Sequence, residues 1–514
     1  MSELTDKLTS ERQKAVSEMG GAEKVAKIHA KGGYTARDWI NNLVDRESFQ
    51  EIGTFAQAAK PEQRDGSYGD GKICGHAQVA GRPITVGADD NTVKGASEGP
   101  SNLWKSHRLY RQALSFGNPF VWFGQCGGGR VDDLLGAAAM TRQPAMELFE
   151  LRQRRIPMIT AIVGRSYGQS SFMAALSDFV VQLRGTAMAV TSPRVIQVAT
   201  SETIDEEALG GADVHSERSG QIDLAVDTKD EAITAIQQFL SYVPNNAESI
   251  SPRTESRRTA PEPALRQVVP EARRRAYDMR KVLGYLADDG RYLELKPKFG
   301  RSLITALARV SGHSVGIVAN QPMFQAGAMS PAGCDKAVRF ICLCDSFNIP
   351  LIFLVDTPGF LVGSTVEHER LLFKAMMLSQ ALAHARVPRV TFILRKAFGL
   401  AYFAMSCYEQ GSGFTCAWPT AEISFMDPEV AANVVHAGQL EGLSLEAKRA
   451  QVATLSQRFA KETGAFDAAA VMGVDEIIDP AETPRIAGDA IERMLQAYNP
   501  AAAKRVLTSW PTCF

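Results

Sequence analysis

No run of about 18 apolar residues occurs anywhere in the 514-residue chain, so no stretch of it reads as a membrane-spanning helix. The opening segment MSELTDKLTSERQKAVSEM is charged every few residues and has no apolar core of the roughly 7–15 residues a secretory signal needs, which leads us to expect a cytoplasmic protein. Cysteine is sparse and scattered: of eight, only Cys342 and Cys344 stand close together. With no C-x-x-C pair and no Cys/His cluster at zinc spacing, we expect reduced thiols, mostly in the core, and no metal site. An excess of either charge is lacking too, since 56 Lys and Arg meet 57 Asp and Glu for a net charge of −1. This argues against a polycationic nucleic-acid binder and leaves recognition to local sites.

Nucleotide signatures are absent as well. The glycine-rich turn QCGGGR, Gln125 to Arg130, lacks the G-K-[ST] ending of a phosphate loop, and no G-x-G-x-x-G opens a helix. That turn reads either as one that supports a pocket or as plain close packing, with Arg130 a candidate structural, ion-paired arginine. The basic run ARRRAYDMRK, residues 272–281, is either a patch for the phosphates of CoA or a solvated segment edge.

What the chain does have is length, with room for about three domains or two large ones, a composition of 45% hydrophobic and 22% charged residues, and an internal repeat. GRPITVGADD from Gly81 matches GHSVGIVANQ from Gly312, 231 positions later. The same offset lays NPFVWFGQCGG from Asn118 over IPLIFLVDTPG from Ile349. It also lays IPMITAIVGRSYGQSSFMA from Ile156 over VPRVTFILRKAFGLAYFAM from Val387, so that Gly168 falls on Gly399 and Phe172 on Phe403. An ungapped register through three separated segments implies a duplicated domain.

Each matched segment has an X-Pro start, a β-branched and aliphatic run, a glycine-bearing turn and a helical pattern, which together predict an α/β layered fold. We expect an N-terminal domain over 1–243, a Pro-, Ser- and charge-rich linker over 244–275 and a C-terminal domain over 276–514. A helical stretch up to about Glu51 and a helix from about Pro484 to Tyr498 flank the two halves.

A glycine between strand and helix lets the backbone approach a ligand, and the first helical N–H groups have no intrahelical acceptor. Such groups can hold an oxygen that becomes negative during reaction. Gly168 with Gln169, and Leu400 with Ala401, are the equivalent candidates. Tight turns with no catalytic role, and a G-x-S-x-G nucleophile elbow over residues 164–168, are the competing readings. The elbow would make Ser166 the nucleophile of a hydrolase, with His313, His368 or His436 as its base.

The runs VGIVANQP, DKAVRFICLCDSFNIPLIFLVDTPGFLVG, VPRVTFILRKAFG-x-AY and AWPTAEISFM closely resemble the carboxyltransferase (β) subunit of biotin-dependent acyl-CoA carboxylases of the propionyl-CoA carboxylase type. YTARDWI near Tyr34, ALSDF at 175–179, EEALGGADVH at 206–215 and YDMRKVL at 277–283 extend the resemblance over nearly the whole chain. It implies two tandem crotonase-like domains. Acyl-CoA would bind the N-terminal half, and carboxybiotin, brought by a biotin carboxylase and biotin carrier partner, the C-terminal half of another subunit, most simply in a hexamer. The resemblance assigns one oxyanion hole to Gly168 and Gln169 and a second to Leu400 and Ala401. Carboxybiotin then releases CO2, the biotin anion removes the α-proton, and the enolate attacks CO2.

Departures from the family pattern fall on the site. Its glycine pairs become Gly168-Gln169 and Gly399-Leu400, a third glycine becomes Ala96, and the D-S-G-G-A-R stretch carries Gln125 and Gly129 beside Gly127 and Gly128. The segment A-G-x-L-D ends in Met329-Ser330, and the glycine after E-H-x is Arg370. No change removes a backbone N–H, but Gln169, Leu400 and Arg370 are expected to fill space near acyl group or biotin. Phe403 matches a family position that selects the acyl chain, or else is a core aromatic like Phe172. A biotin-independent CoA-thioester decarboxylase, or a non-catalytic paralogue, is the alternative to the carboxyltransferase.

Overall fold

The computed structural model describes residues 2–141, 146–255, 260–407, 413–500 and 505–510. The chain divides into two compact units, the first ending at Ser249 and the second beginning at Ile250.

The first unit is built on a seven-stranded sheet in which space order follows chain order: Gln50–Glu51, Lys72–Val79, Arg82–Asp89, Phe120–Gly124, Met158–Ile162, Phe179–Leu183 and Leu224–Val226. The first two pairings are antiparallel and the remainder parallel. The second unit repeats this plan with Tyr292–Leu295, Leu303–Val310, His313–Asn320, Leu351–Thr357, Arg389–Phe398, Gly413–Ala417 and Glu476–Ile477, while Glu422–Ser424 pairs beside Arg389–Phe398. The offset of 231 carries the start of four successive strands onto their counterparts: Lys72 onto Leu303, Arg82 onto His313, Phe120 onto Leu351 and Met158 onto Arg389. The repeat seen in the sequence is therefore a repeat of strand positions.

Proline explains why these strands begin where they do. Lacking an N–H, it suits the first position of a strand but not its interior. Pro119, Pro157, Pro350 and Pro388 each precede a parallel strand, and each carbonyl accepts from the neighbouring strand: Thr85 N at 2.8 Å, Phe120 N at 2.8 Å, Gly316 N at 2.8 Å and Leu351 N at 2.9 Å. The crossover helices Pro100–Phe116 and Pro331–Ser346 also open on proline, which is preorganised for the first helical turn. Both central strands Phe120–Gly124 and Leu351–Thr357 are buried along their whole length, as parallel strands covered on two faces must be.

The N-terminal stretch is helical over Ser2–Gln13, Ala22–Ala30 and Ala36–Leu43, the last opened by a capping box between Thr35 and Asp38. It ends before the short strand Gln50–Glu51, and the C-terminal helix runs Thr483–Ala497. The segment 244–275 carries core side chains. In its early part Asn245 accepts from Arg82, and Ala247 N–H donates to Arg155 O. Further on, Leu265 and Val269 pack into the core of the second unit. The bland composition of this segment hid the two apolar residues that matter, and its residues 256–259 lie outside the described residues.

Packing in the first unit is close where Gly87, in mid-strand, faces the fully buried Trp122. A Cβ at Gly87 would fall inside the indole ring. We expect Gly87→Ala to destabilise the protein by about 1–3 kcal/mol through overpacking, read as a lower midpoint in urea unfolding.

Candidate active site

Three loops of the first unit converge at the C-terminal ends of its parallel strands, where α/β sheets present ligand sites. Gly127 N–H donates to Gly95 O at 3.1 Å, Glu98 N–H donates to Gly128 O at 2.9 Å, and Tyr167 N–H donates to Cys126 O at 2.9 Å. These bonds bring Ala96, Gly127, Gly128, Gly168 and Gln169 into one place. Gly168 caps the helix Gln169–Leu176 with φ 73° and ψ −132°, a conformation that glycine alone adopts at low cost. A Cβ there would press on Gly128 Cα at 3.3 Å. Lys94, Gly95 and Ala96 all have positive φ. Ala96, at φ 55°, thus holds the left-handed shape of the family glycine, and its repeat mate is Gly327 at φ 80°.

The N–H of Gln169 is engaged by a carboxylate of the chain itself: it donates to Glu98 Oε1 at 2.7 Å. The side chain of Gln169, expected to crowd the acyl pocket, is only 6% exposed and donates through Nε2 to Tyr110 OH at 2.7 Å. That expectation is corrected: the amide finds a buried hydroxyl and turns into the core. Its Oε1 remains without a hydrogen-bond partner.

Beneath these loops lies a buried ion pair, Lys72 Nζ to Asp89 Oδ1 at 2.5 Å, both side chains fully shielded. Asp89 also accepts from Gln125 N–H at 2.9 Å and from the Ser170 hydroxyl, and Lys72 reaches Ala96 O at 3.3 Å. Burial alone would drive Lys72 toward neutrality, but Asp89, aided by Cys126 and Glu98, outweighs it and holds the ammonium above its ordinary range. Glu98 is raised by burial against the opposing pull of Lys72 and the Gln169 N–H. Burial pushes the Cys126 thiol up to about 12, and the thiol lies 3.5 Å from Glu98 Oε1. Arg130 is the structural arginine of the cluster, bound to Asp70 at 2.8 Å and Asp133 at 3.0 Å.

In the second unit Gly399, at φ 60° and ψ −146°, caps the single-turn helix Leu400–Ala404 and repeats the geometry of Gly168. Its N–H donates to Ser424 O at 3.0 Å. The surroundings differ in chemistry, because the offset replaces Lys72, Asp89, Glu98, Tyr110 and Gln169 with Leu303, Asn320, Met329, Ile341 and Leu400. Leu400 is 43% and Phe403 44% exposed, and Phe172 is 47% exposed. The reading of Phe403 and Phe172 as core aromatics is thereby overturned, since both stand on the outer face of their helices. Arg370 sits in left-handed conformation, φ 67°, at the start of the helix Leu371–His384, and is exposed.

One sequence reading falls away. A nucleophile elbow needs an exposed serine on a strained turn, whereas Ser166 lies in the short strand Ser166–Tyr167, is fully buried and does not have positive φ. Its hydroxyl has no hydrogen-bond partner, so no histidine serves it. In the basic run over 272–281, Arg273, Arg274 and Arg280 are paired with Glu422 and Asp427, with Glu429 and with Glu294. No described helix is long and apolar enough to cross a membrane, and no group of three or more His, Cys, Asp or Glu among the described residues could hold a metal ion.

Glu98, Lys72, Asp89, Cys126 and Tyr110 were not singled out from sequence. The signal was available for Lys72, Asp89 and Glu98, charged residues at positions where the repeat has Leu303, Asn320 and Met329.

Removing the lysine would leave Asp89 buried and unpaired. We expect Lys72→Met to cost about 3–5 kcal/mol in urea unfolding, and the double variant with Asp89→Asn to recover part of that loss.

The carboxyl transferase domain model matches residues 27–505. Over 511 residues the chain is 35% identical to the methylmalonyl-CoA carboxyltransferase 12S subunit of Propionibacterium freudenreichii subsp. shermanii, covering 96% of this chain and 95% of that one. Identity to the propionyl-CoA carboxylase beta chain of Saccharopolyspora erythraea is also 35%, over 509 residues, covering 95% and 92%. The crystal structure of transcarboxylase 12S with methylmalonyl-coenzyme A bound superposes with a TM-score of 0.89 at 34% identity, covering 96% of each chain. With its duplicated crotonase-like units, this chain belongs to the carboxyl transferase domain family, the carboxyltransferase subunits of acyl-CoA carboxylases.

Proposed function

We propose that this chain moves a carboxyl group from carboxybiotin, carried on a separate protein, to the α-carbon of an acyl-CoA thioester by way of an enolate. The observation that carries this reading is the same positive-φ glycine turn at Gly168 and at Gly399, each opening a helix whose first N–H groups have no intrahelical acceptor. The first unit takes the acyl-CoA. There Gly168 and Gln169 offer backbone donors to the thioester oxygen, Ala96 shapes the facing loop, and Gly127 and Gly128 keep the approach free of side chains. Such donors act because they bind the oxygen more strongly as its charge develops than in the ground state, and one donor contributes on the order of 10²–10³ in rate.

The second unit takes the biotin ring, with Leu400 and Ala401 supplying the donors. Carboxybiotin, when bound, supplies the carboxyl carbon. Phe403, beside Leu400, borders the acyl chain, with Phe172 as its counterpart, and Arg370 lies at the rim. Transcarboxylase 12S assembles as a hexamer, and we extend that assembly, a biotin carboxylase and carrier partner and a cytoplasmic setting to this chain.

The test is ATP- and bicarbonate-driven carboxylation of acyl-CoA substrates with biotin carboxylase and carrier proteins present. Activity is expected to vanish in excess avidin, and turnover that persists would overturn the function. Phe403→Ala is expected to change the ranking of acyl-CoA substrates by kcat/KM, by about 10–200-fold per methylene, with little change in melting temperature because the side chain is 44% exposed. An unchanged ranking would remove Phe403 from the pocket.

A further inference from the structure

We propose that the carboxylate of Glu98 is a gate on the first site: it closes the Gln169 N–H, and the thioester oxygen of an entering acyl-CoA binds by displacing it. This rests on the acyl-CoA reading of that unit and concerns binding, not the carboxyl-transfer step. Glu98 Oε1 accepts the Gln169 N–H at 2.7 Å, so the donor that this reading gives to the thioester is already taken. The carboxylate also lies close against the turn, since a Cβ on Gly168 would stand 3.5 Å from its Oε1 and 3.9 Å from its Oε2. A substrate oxygen reaches that donor once the side chain moves. The backbone of Glu98 is pinned, its N–H on Gly128 O at 2.9 Å and its carbonyl accepting Arg130 N–H at 2.7 Å, so the motion is a side-chain rotation.

The scaffold does not need a carboxylate here. In the second unit the same turn is built with Met329, whose N–H donates to Gly359 O at 2.9 Å as that of Glu98 does to Gly128 O. The effect of the added carboxylate follows from comparing acceptors. A charge-assisted hydrogen bond is about twice as strong as a neutral one, so Glu98 outcompetes the neutral carbonyl of a ground-state thioester. An enolate oxygen carries charge of its own and competes on equal terms. Glu98 thus opposes ground-state binding more than it opposes the charged state that follows, and it acts on KM more than on kcat.

Charge on the gate sets how firmly it closes. The groups that face it are Lys72 on Lys72–Val79, Asp89 on Arg82–Asp89, Tyr110 on Pro100–Phe116 and Cys126 in the glycine-rich turn. Lys72 is already paired with Asp89. Burial holds Tyr110 above its ordinary range and Cys126 at about 12, so both are neutral near pH 7. Burial also raises Glu98 above the usual carboxylate range, against the pull of Lys72 and the Gln169 N–H. Below that ionisation the gate is a neutral acid and holds the donor weakly. As pH rises through it, the gate becomes a carboxylate and competes harder. Displacement leaves that carboxylate beside Asp89 without its donor, so acyl-CoA binding takes up a proton and weakens as pH rises.

The test is calorimetric titration of the full-length chain with propionyl-CoA and with free CoA, in buffers of differing ionisation enthalpy. Glu98→Ala, which removes the gate, is expected to bind propionyl-CoA about tenfold or more tightly than wild type. Its affinity for free CoA should not change, because free CoA has no thioester oxygen. Glu98→Gln, which keeps an acceptor but no charge, should fall between the two, with melting temperatures confirming that both variants fold. In the carboxylation assay the gain should appear in KM more than in kcat. Wild type should take up protons on binding propionyl-CoA beyond those seen with free CoA and bind more weakly as pH rises through the Glu98 ionisation, and Glu98→Gln should abolish both effects. Equal propionyl-CoA affinity in wild type and Glu98→Ala, or a tightening shared by free CoA, overturns the gate and leaves the proposed function standing. So does weaker binding by folded Glu98→Ala, which would make the carboxylate a contact of the acyl-CoA, or a pH profile that Glu98→Gln leaves unchanged. Failure of wild type and both variants to bind propionyl-CoA overturns the gate together with the acyl-CoA reading of the first unit.

Discussion

The buried pair of Lys72 and Asp89 ties together the elements that make the first site, and much of the local geometry follows from it. Neither charge could be shielded from water alone. Once paired, each has hydrogen-bonding capacity left over, and the chain uses it. Asp89 draws in the backbone at Gln125 and the hydroxyl of Ser170, while Lys72 holds the carbonyl of Ala96. One ion pair therefore fixes the glycine-rich loop, the helix start and the loop of three consecutive left-handed residues against one another. Its field also reaches Glu98 and Cys126.

The second unit shows what the scaffold is without this pair. Leu303 and Asn320 replace the ions, yet the strands keep their positions and Gly399 keeps the backbone shape of Gly168. The turn is thus a property of the backbone and its glycine, and the Lys72–Asp89 pair is an addition specific to the first unit. Duplication supplied two frames of the same geometry, and substitution gave them different buried ion pairs, Lys72 with Asp89 in the first unit and Arg395 with Asp356 in the second. A pair of like turns can in this way serve two unlike carbonyl compounds.

The departures from the family glycines are absorbed by physical means that differ from place to place. Gln169 costs no pocket space because its amide turns inward to Tyr110. Ala96 retains the positive φ that glycine would adopt freely, a strain held in place by Lys72 and by the bonds of the neighbouring loop. Leu400 and Arg370 do remain at the surface of the second unit, the latter in a left-handed conformation costly for a residue with a Cβ.

The sequence by itself determined the duplication, the α/β class, the strand starts and the two glycine turns. Each of these is written in local chemistry: a proline that cannot donate, an apolar run that must be covered, a glycine free to adopt positive φ. Arg130 was legible as a structural residue for the same reason, being set in a tight turn. Only the tertiary structure decided which way side chains face and what lies across from them. It put Phe172 and Phe403 outside, turned Gln169 inside, buried Ser166 beyond any role as a nucleophile and drew core residues from the segment read as a linker. It also brought Glu98 onto the Gln169 N–H across a separation of 71 residues. Hydrogen bonds and ion pairs between distant strands and loops have no period and no motif, so they become visible only once the sheet sets their partners side by side.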